Sequence, residues 1–364
     1  MKRNQKLIFM AGGGTAGHVY PNMALLGPLK ERGYEVHYLG KHKGMEYGIV
    51  KEAGLPFHEV NSERFFRYFT PKLLLTPPRV IQGIFQTVRL IHRYKPVMIF
   101  CKGGFGSLPV AVGGWLTRTP VVLHESDMTP GLANKLCMPF SRKLCVTFED
   151  TVKHLPADKA VYTGTPIRSS LLEGDRAKGF ALTGLDPKGK PVLMVVGGSS
   201  GAKALNDAVA ASKEQLLEHF QIVHLYGGKQ EDYEPPVSDP SHGYYAQDFA
   251  REELVDLFAM TDLVLSRAGA NAINELLLLK KPHVLVPLPL SASRGDQILN
   301  AEYFQKQGFS YVLDQEKMTP ETLMEALLKV QENREEYIRA MSSDKAKNGT
   351  EEVLKVILEV CGDQ

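Results

Sequence analysis

The sequence predicts an α/β protein of two Rossmann-like, doubly wound domains with a ligand cleft between them. Three observations predict it. The chain has 364 residues, and a single hydrophobic core stops growing at roughly 250 to 300. An apolar run at residues 7–10 opens into glycines and then an amphipathic stretch, the pattern of a strand, a phosphate-type turn and a helix. The same succession returns at residue 191, so the second half starts as the first does.

Composition excludes several classes. A formal net charge of +2 gives no sign of nucleic-acid binding. Cys101, Cys137, Cys145 and Cys361 form no CxxC pair and have no His at metal-ligand spacing. They read as free thiols in a reducing compartment, and neither a metal nor another cofactor is expected. The first residues hold too few apolar side chains for a signal peptide, and no run of eighteen apolar residues occurs. The expectation is a cytoplasmic protein whose membrane contact, if any, is peripheral.

In the first half, the strand at 7–10 feeds Ala11-Gly-Gly-Gly-Thr-Ala-Gly-His18, and a helix is expected from about residue 19 to 32. Adjacent glycines let the main chain approach a phosphate or sugar, and Thr15 can cap or donate. His18 stands at the expected helix head, where the dipole favours neutral imidazole, able to act as a base. A His there also serves as a plain polar helix start. The second strand, 35–39, ends in Leu39-Gly40-Lys41 without an acidic residue, which counts against a nicotinamide cofactor.

Residues 64–95 hold Arg64, Arg67, Lys72, Arg79, Arg89, Arg93 and Lys95 among Phe65, Phe66, Tyr68, Phe69 and Phe85, with no acidic residue. Such a stretch suits a surface lying on anionic lipid headgroups. It equally suits a loop and an amphipathic helix packed on their own domain, and suits nucleic acid, which such basic aromatic stretches can also bind, less well than either. Strands at 96–100 and 120–123 then deliver Gly103-Gly-Phe-Gly-Ser107 and His124-Glu-Ser-Asp-Met-Thr-Pro-Gly131. Three such turns at strand carboxyl ends would converge on one rim. Short strands at 144–147 and within 161–168 close the half, and residues 178–190 read as a connecting loop.

In the second half, the strand at 191–196 opens into Gly197-Gly-Ser-Ser-Gly-Ala-Lys203 and a helix over 205–219. Ser199 and the neighbouring N–H groups suit a phosphate. A strand at 222–226 precedes an amphipathic helix over 248–260 that Asp248 would cap. A strand at 261–265 then runs into Ser266-Arg-Ala-Gly-Ala-Asn-Ala-Ile-Asn-Glu275. Gly269 permits close backbone approach, Asn271 can cap the new helix, and the helix start at Ala270 offers N–H groups to an anion. Glu275, one turn in, can accept two hydrogen bonds from a diol such as a ribose. Taken alone, the stretch reads as well as an ordinary βα turn with a surface Glu. Asp296 and Gln297 offer partners to sugar hydroxyls, or simply a polar helix start. The closing helices, about 320–332 and 334–360, carry no catalytic signature.

These motifs, in this order, with Gly164-Thr-Pro-Ile-Arg168 and Asp296-Gln-Ile-Leu-Asn-Ala301, resemble the MurG family from about residue 7 to 301. Members move N-acetylglucosamine from UDP-GlcNAc to undecaprenyl-diphospho-N-acetylmuramyl-pentapeptide, lipid I, giving lipid II at the cytoplasmic face of the membrane. The resemblance implies a GT-B fold and an inverting reaction without an essential metal. It implies residues 1–165 as the acceptor- and membrane-binding domain and 166–340 as the UDP-GlcNAc domain. Residues 341–364 would be a closing helix able to pack back on the first. By matching motif, Glu275 would hold the ribose, Ser199 and Arg168 the diphosphate, and Gln297 the sugar hydroxyls. Thr15, Ala16 and Gly17 would lie against the donor sugar and diphosphate, Ala270 and Asn271 at the donor's helix start, and the segment ending at Arg251 by the uracil. Gly13, Gly14, Gly103, Gly104 and Glu125 would serve the acceptor. His18 is the first choice of general base and Asp127 the second.

Three departures stand out. Ala16 replaces the usual glycine, Ser126-Asp127 replaces Gln-Asn, and Gly-Thr-Pro-Ile-Arg replaces Gly-Asn-Pro-Val-Arg. The substitution at Asp127 puts a carboxylate where an amide is common. Competing readings are another GT-B UDP-sugar enzyme, either a glycolipid glycosyltransferase or a UDP-GlcNAc 2-epimerase, and a non-catalytic membrane-bound UDP-sugar sensor.

Overall fold

A computed structural model describes residues 4–42, 44–62, 76–198, 201–228, 233–343 and 349–363. It divides into two units, Met1–Arg168 with Lys347–Gln364, and Ser169–Ala346. The first unit carries seven parallel strands: β1 Asn4–Ala11, β2 Glu35–Gly40, β3 Phe57–Glu59, β4 Pro96–Cys101, β5 Val121–Glu125, β6 Lys143–Val146 and β7 Ala160–Tyr162. Their order is β3-β2-β1-β4-β5-β6-β7. The second carries β8 Val192–Val196, β9 Gln221–Leu225, β10 Tyr244–Gln247, β11 Leu263–Ser266, β12 His283–Leu285 and β13 Tyr311–Val312. Their order, β10-β9-β8-β11-β12-β13, repeats the first.

The central strands are apolar over most of their length, β4 and β8 wholly so, because helices cover both faces of a parallel sheet. Alternate side chains of β1 and β4 enter opposite cores. Ile8, Met10, Met98 and Phe100 pack with Val353, Leu354 and Ile357 of the helix Gly349–Cys361. Leu7, Phe9, Ile99 and Cys101 pack with Ile91 and Val110 on the other face. In the second unit Leu193, Val195, Leu263 and Leu265 meet Leu205, Val209, Leu323 and Leu327.

Several elements differ from the sequence expectation. The helix over 19–32 is two, Tyr20–Ala24 and Leu26–Glu31. Pro28 has no N–H to donate to the carbonyl four residues back, so the run breaks before it. The helix over 205–219 is likewise two, Lys203–Ala211 and Lys213–His219. The helix expected from 248 starts only at Leu254, and Asp248 accepts the N–H of Phe249 instead of capping it. The helix Ala270–Leu278 has Gly269 at its N-cap with no side-chain cap, so Asn271 lies inside it. Strands β3, β10 and β13, at or next to sheet edges, are too short for alternation to reveal them.

In both sheets the strand order reverses beside the first strand, between β1 and β4 and between β8 and β11. Ligands of doubly wound folds bind outside the carboxyl ends of strands at that point. The glycine turns after β1, β4, β8 and β11 all leave from there.

Candidate active site

In the first unit the glycine turn after β1 is layered against its neighbours too closely for side chains. A Cβ on Gly104 would fall 2.2 Å from the carbonyl oxygen of Gly13, and one on Gly13 would fall 2.6 Å from the carboxyl carbon of Glu46. Glu46, in the first turn of the helix Met45–Glu52, is 5% exposed. Its carboxylate accepts the N–H groups of Gly14 (3.3 Å) and Lys41 (3.1 Å). An internal anion thus satisfies donors of the turn. His18 ends a short 3₁₀ turn, Ala16–His18, two residues before the helix starts at Tyr20. That placement weakens the dipole argument made from sequence, because the dipole acts within the first turn. The His18 ring faces the next glycine turn, with Cε1 3.7 Å from where a Cβ on Gly103 would sit.

The turn after β5 is organised from within. Glu125 is buried and accepts from the N–H of Asp127 (3.0 Å), the N–H of Gly131 (2.8 Å) and Nδ2 of Asn134 (2.9 Å). His124 is fully buried, and burial and Lys102 hold its pKa well below the ordinary value. Its Nε2–H donates to the Gly164 carbonyl at 2.9 Å. Lys102 follows β4 and is 1% exposed, with its ammonium on the Ser126 hydroxyl.

Arg168 closes the first unit. Its guanidinium lies 5.2 Å from the centroid of the Tyr20 ring, beside the first glycine turn. The preceding residue is pinned by Thr350, whose hydroxyl accepts from the Ile167 N–H (3.1 Å) and donates to its carbonyl (2.9 Å).

In the second unit Ser199 lies outside the described residues. The helix behind its turn is anchored by a buried network. The Tyr244 hydroxyl meets His224 Nδ1 at 2.7 Å, and His224 Nε2 meets Asn206 Oδ1 at 3.0 Å. Asn206 Nδ2 donates to the Tyr226 carbonyl at 3.0 Å, so Oδ1 is its acceptor toward His224 and the imidazole proton is on Nε2. Burial pushes the His224 pKa down to about 4, consistent with that neutral tautomer. After β11, buried Arg267 donates to the Val286 carbonyl (2.9 Å), and Asn300 donates to the Ala268 carbonyl (3.3 Å). The Gln297 side-chain oxygen accepts the Leu288 N–H at 3.1 Å. These bonds lock the β11 turn, the segment after β12 and the helix Asp296–Lys306 together. Half-buried Asn271 and Glu275 stand on the helix leaving the β11 turn, and exposed Arg251 follows β10.

Residues 8–146 match the glycosyltransferase family 28 N-terminal domain, and residues 192–357 match its C-terminal domain. The chain belongs to glycosyltransferase family 28. Within family 28 its relatives are those of the MurG family. It is 46% identical over 352 residues to the UDP-N-acetylglucosamine–N-acetylmuramyl-(pentapeptide) pyrophosphoryl-undecaprenol N-acetylglucosamine transferase of Clostridium botulinum strain Langeland, covering 97% of this chain and 98% of that one. The protein of the same name from Lachnoclostridium phytofermentans is 44% identical, with 98% and 99% covered. The crystal structure of Acinetobacter baumannii MurG superposes with a TM-score of 0.72 at 25% identity, over 97% of this chain and 99% of that one. The two doubly wound units are those of a GT-B glycosyltransferase.

In this family 28 chain, Tyr20, Glu46, Lys102 and Thr350 shape the site without having been legible in the sequence. Each acts on a residue distant along the chain, and no local pattern announces such a contact. Lys102 carried the only hint, a charge between an apolar strand and two glycines.

Proposed function

We propose that this chain moves N-acetylglucosamine from UDP-GlcNAc to the 4-hydroxyl of the MurNAc of lipid I, giving lipid II and UDP. The observation that carries the reading is 46% identity over nearly the whole chain to a transferase named for that reaction. The acceptor oxygen attacks the anomeric carbon, its proton passes to a base, and the bond to UDP breaks with inversion. The leaving diphosphate gains negative charge, which Arg168 and the helix starts after Ser199 and at Ala270 would stabilise. His18, facing the Gly103 turn, is the proposed base, with Asp127 as its rival.

Glu275 would take the ribose hydroxyls and Gln297 those of the sugar, while Thr15, Ala16 and Gly17 would lie against the donor. Asn271 would stand at the donor's helix start and Arg251 by the uracil. Gly13, Gly103 and Gly104 would offer closely stacked backbone to the acceptor, and Gly14, with open space beside it, would face it too. Glu125 would shape that surface through the turn it holds. Incubation with labelled UDP-GlcNAc and lipid I tests the reaction. Labelled lipid appearing only when lipid I is present supports it, and interconversion of UDP-GlcNAc without lipid would replace it with epimerisation. For the base, His18→Ala is expected to lower kcat by about 10²- to 10⁴-fold. Full turnover by that variant, with Asp127→Ala inactive, would reverse the assignment.

The same proposal places the first unit on the cytoplasmic face of the membrane. Of the basic aromatic stretch at 64–95, residues 64–75 lie outside the described residues. The helix Thr76–Tyr94 exposes Ile81 (52%), Phe85 (71%) and Arg89 along one face at helical spacing. No helix among the described residues is long and apolar enough to cross a membrane. Phe85→Glu is expected to reduce sedimentation with anionic vesicles, and unaltered binding would remove this face from the contact.

A further inference from the structure

We infer that Lys102 is a positioning residue for the transfer reaction: its buried ammonium, through Ser126, holds the turn that carries Asp127 and sets a positive charge behind that carboxylate. The inference rests on the reaction proposed above with Asp127, the rival of His18, as the group that meets the acceptor hydroxyl.

Lys102 is the first residue beyond β4, and its N–H donates to the Ala11 carbonyl at 2.9 Å, extending the β1–β4 pairing. Its Cβ is 3.2 Å from where a Cβ on Gly12 would be, so its stem starts against the first glycine turn. The side chain ends on Ser126 Oγ, across the strand pair from its own backbone. At 1% exposure it is among the largest fully buried side chains of the unit.

An ammonium has three donors and strong hydration, so burying it on a neutral hydroxyl is costly unless negative charge lies close by. The charged groups that face it are Glu125 and Asp127 on the β5 turn, and both favour its charged form. The remaining titratable neighbours are neutral: His124 on β5, and Cys145 on β6, whose thiol burial raises to about 12. Burial brings the lysine down to about 8, so it remains mostly protonated at neutral pH. The division of labour on the turn is then clear. Glu125 spends both oxygens on its own turn and Asn134. Asp127 stands half-buried at the rim. A fixed cation behind it favours its carboxylate form and the orientation in which it can meet a hydroxyl. In this chain the turn reads Ser-Asp, and Ser126 is the atom through which Lys102 reaches it.

The test uses the full-length enzyme with UDP-GlcNAc and lipid I, and variants Lys102→Met, Lys102→Arg, Ser126→Ala and Asp127→Asn. Lys102→Met is expected to lower kcat by about 10- to 100-fold, with KM for UDP-GlcNAc within about threefold of wild type. The acid limb of its pH–rate profile should move up by about one unit, and Lys102→Arg should recover part of both losses. Wild-type kcat and pH profile in a folded Lys102→Met enzyme would overturn the inference. If that variant does not fold, Ser126→Ala carries the test, because it keeps the charge but cuts the contact. An unchanged kcat there would also overturn it. An equal loss from Lys102→Met in the Asp127→Asn background would show that the lysine acts independently of Asp127, and would sink the proposal. Failure of the wild-type enzyme to label lipid I would instead sink the reaction itself.

Discussion

Arg168 rests on the ring of Tyr20, guanidinium carbon 5.2 Å from the ring centroid. The residue proposed to meet the leaving diphosphate is thus oriented by the helix that follows the first glycine turn. Tyr20→Phe keeps the ring face and is expected to be close to neutral. Tyr20→Ala removes a contact worth about 0.5 to 2 kcal/mol, and should lower kcat/KM for UDP-GlcNAc by roughly 2- to 30-fold. In an Arg168→Ala background the same substitution should have little further effect. A full additive loss there, in a kinetic double-mutant cycle, would show that Tyr20 acts elsewhere.

Glu46 and Gly13 form a second coupled pair, since a Cβ on Gly13 would strike the Glu46 carboxyl group. Glu46→Ala strands the N–H groups of Gly14 and Lys41, at about 1 to 3 kcal/mol of stability. Gly13→Ala should cost about as much by overpacking. In urea unfolding the double variant should be less destabilised than the sum of the two by about 1 kcal/mol or more. Simple additivity would mean the carboxylate does not occupy the space beside Gly13.

Glu275 stands one turn into the helix that starts at Ala270. Removing its hydrogen bonds to a neutral diol is expected to weaken UDP-GlcNAc binding by about 10- to 100-fold in Glu275→Ala. The effect should be similar for UDP alone, because the ribose is common to both. Calorimetry that finds donor affinity unchanged would remove Glu275 from the ribose site.

Acid stability should be set in part by two histidines of the second unit. Burial lowers His224 and His283 to about 4, whereas each titrates near 6.5 in an unfolded chain, roughly. Between those values the unfolded chain binds more protons, so stability rises with pH. The contribution is fully present above about pH 6.5 and is lost as pH falls toward 4, on the order of 3 kcal/mol per histidine. His283 Nδ1 donates to the Lys281 carbonyl at 2.6 Å, a bond that Asn can reproduce. His283→Asn should therefore flatten the fall in melting temperature between about pH 7.5 and 5. An unchanged slope would exclude His283 from the effect.

Much of this was legible in the sequence because it is local. Strand cores such as Val-Met-Ile-Phe at 97–100 announce themselves by apolar runs, and glycines mark where they end. Two strand–glycine–helix starts, at residues 7 and 191, sufficed for two doubly wound halves. Ser266 to Glu275 could be placed on a βα turn by the same reasoning. The errors were local too. Pro28 broke a helix that periodicity ran through, and Gly269, not Asn271, caps the helix at Ala270.

The sequence by itself determined the strand ends, the glycines that leave them and, through motif order, the family and its chemistry. The tertiary structure decided which buried charges stand behind those turns. Glu46 lies 32 residues from the Gly14 N–H it accepts, and Lys102 lies 24 from Ser126. Parallel pairing of β1, β4 and β5 brings Gly12, Lys102 and His124 level with one another. Pairing across a sheet is set by the burial of whole faces rather than by neighbours in the chain. A charge beside a glycine turn therefore becomes meaningful only when the strands are in register.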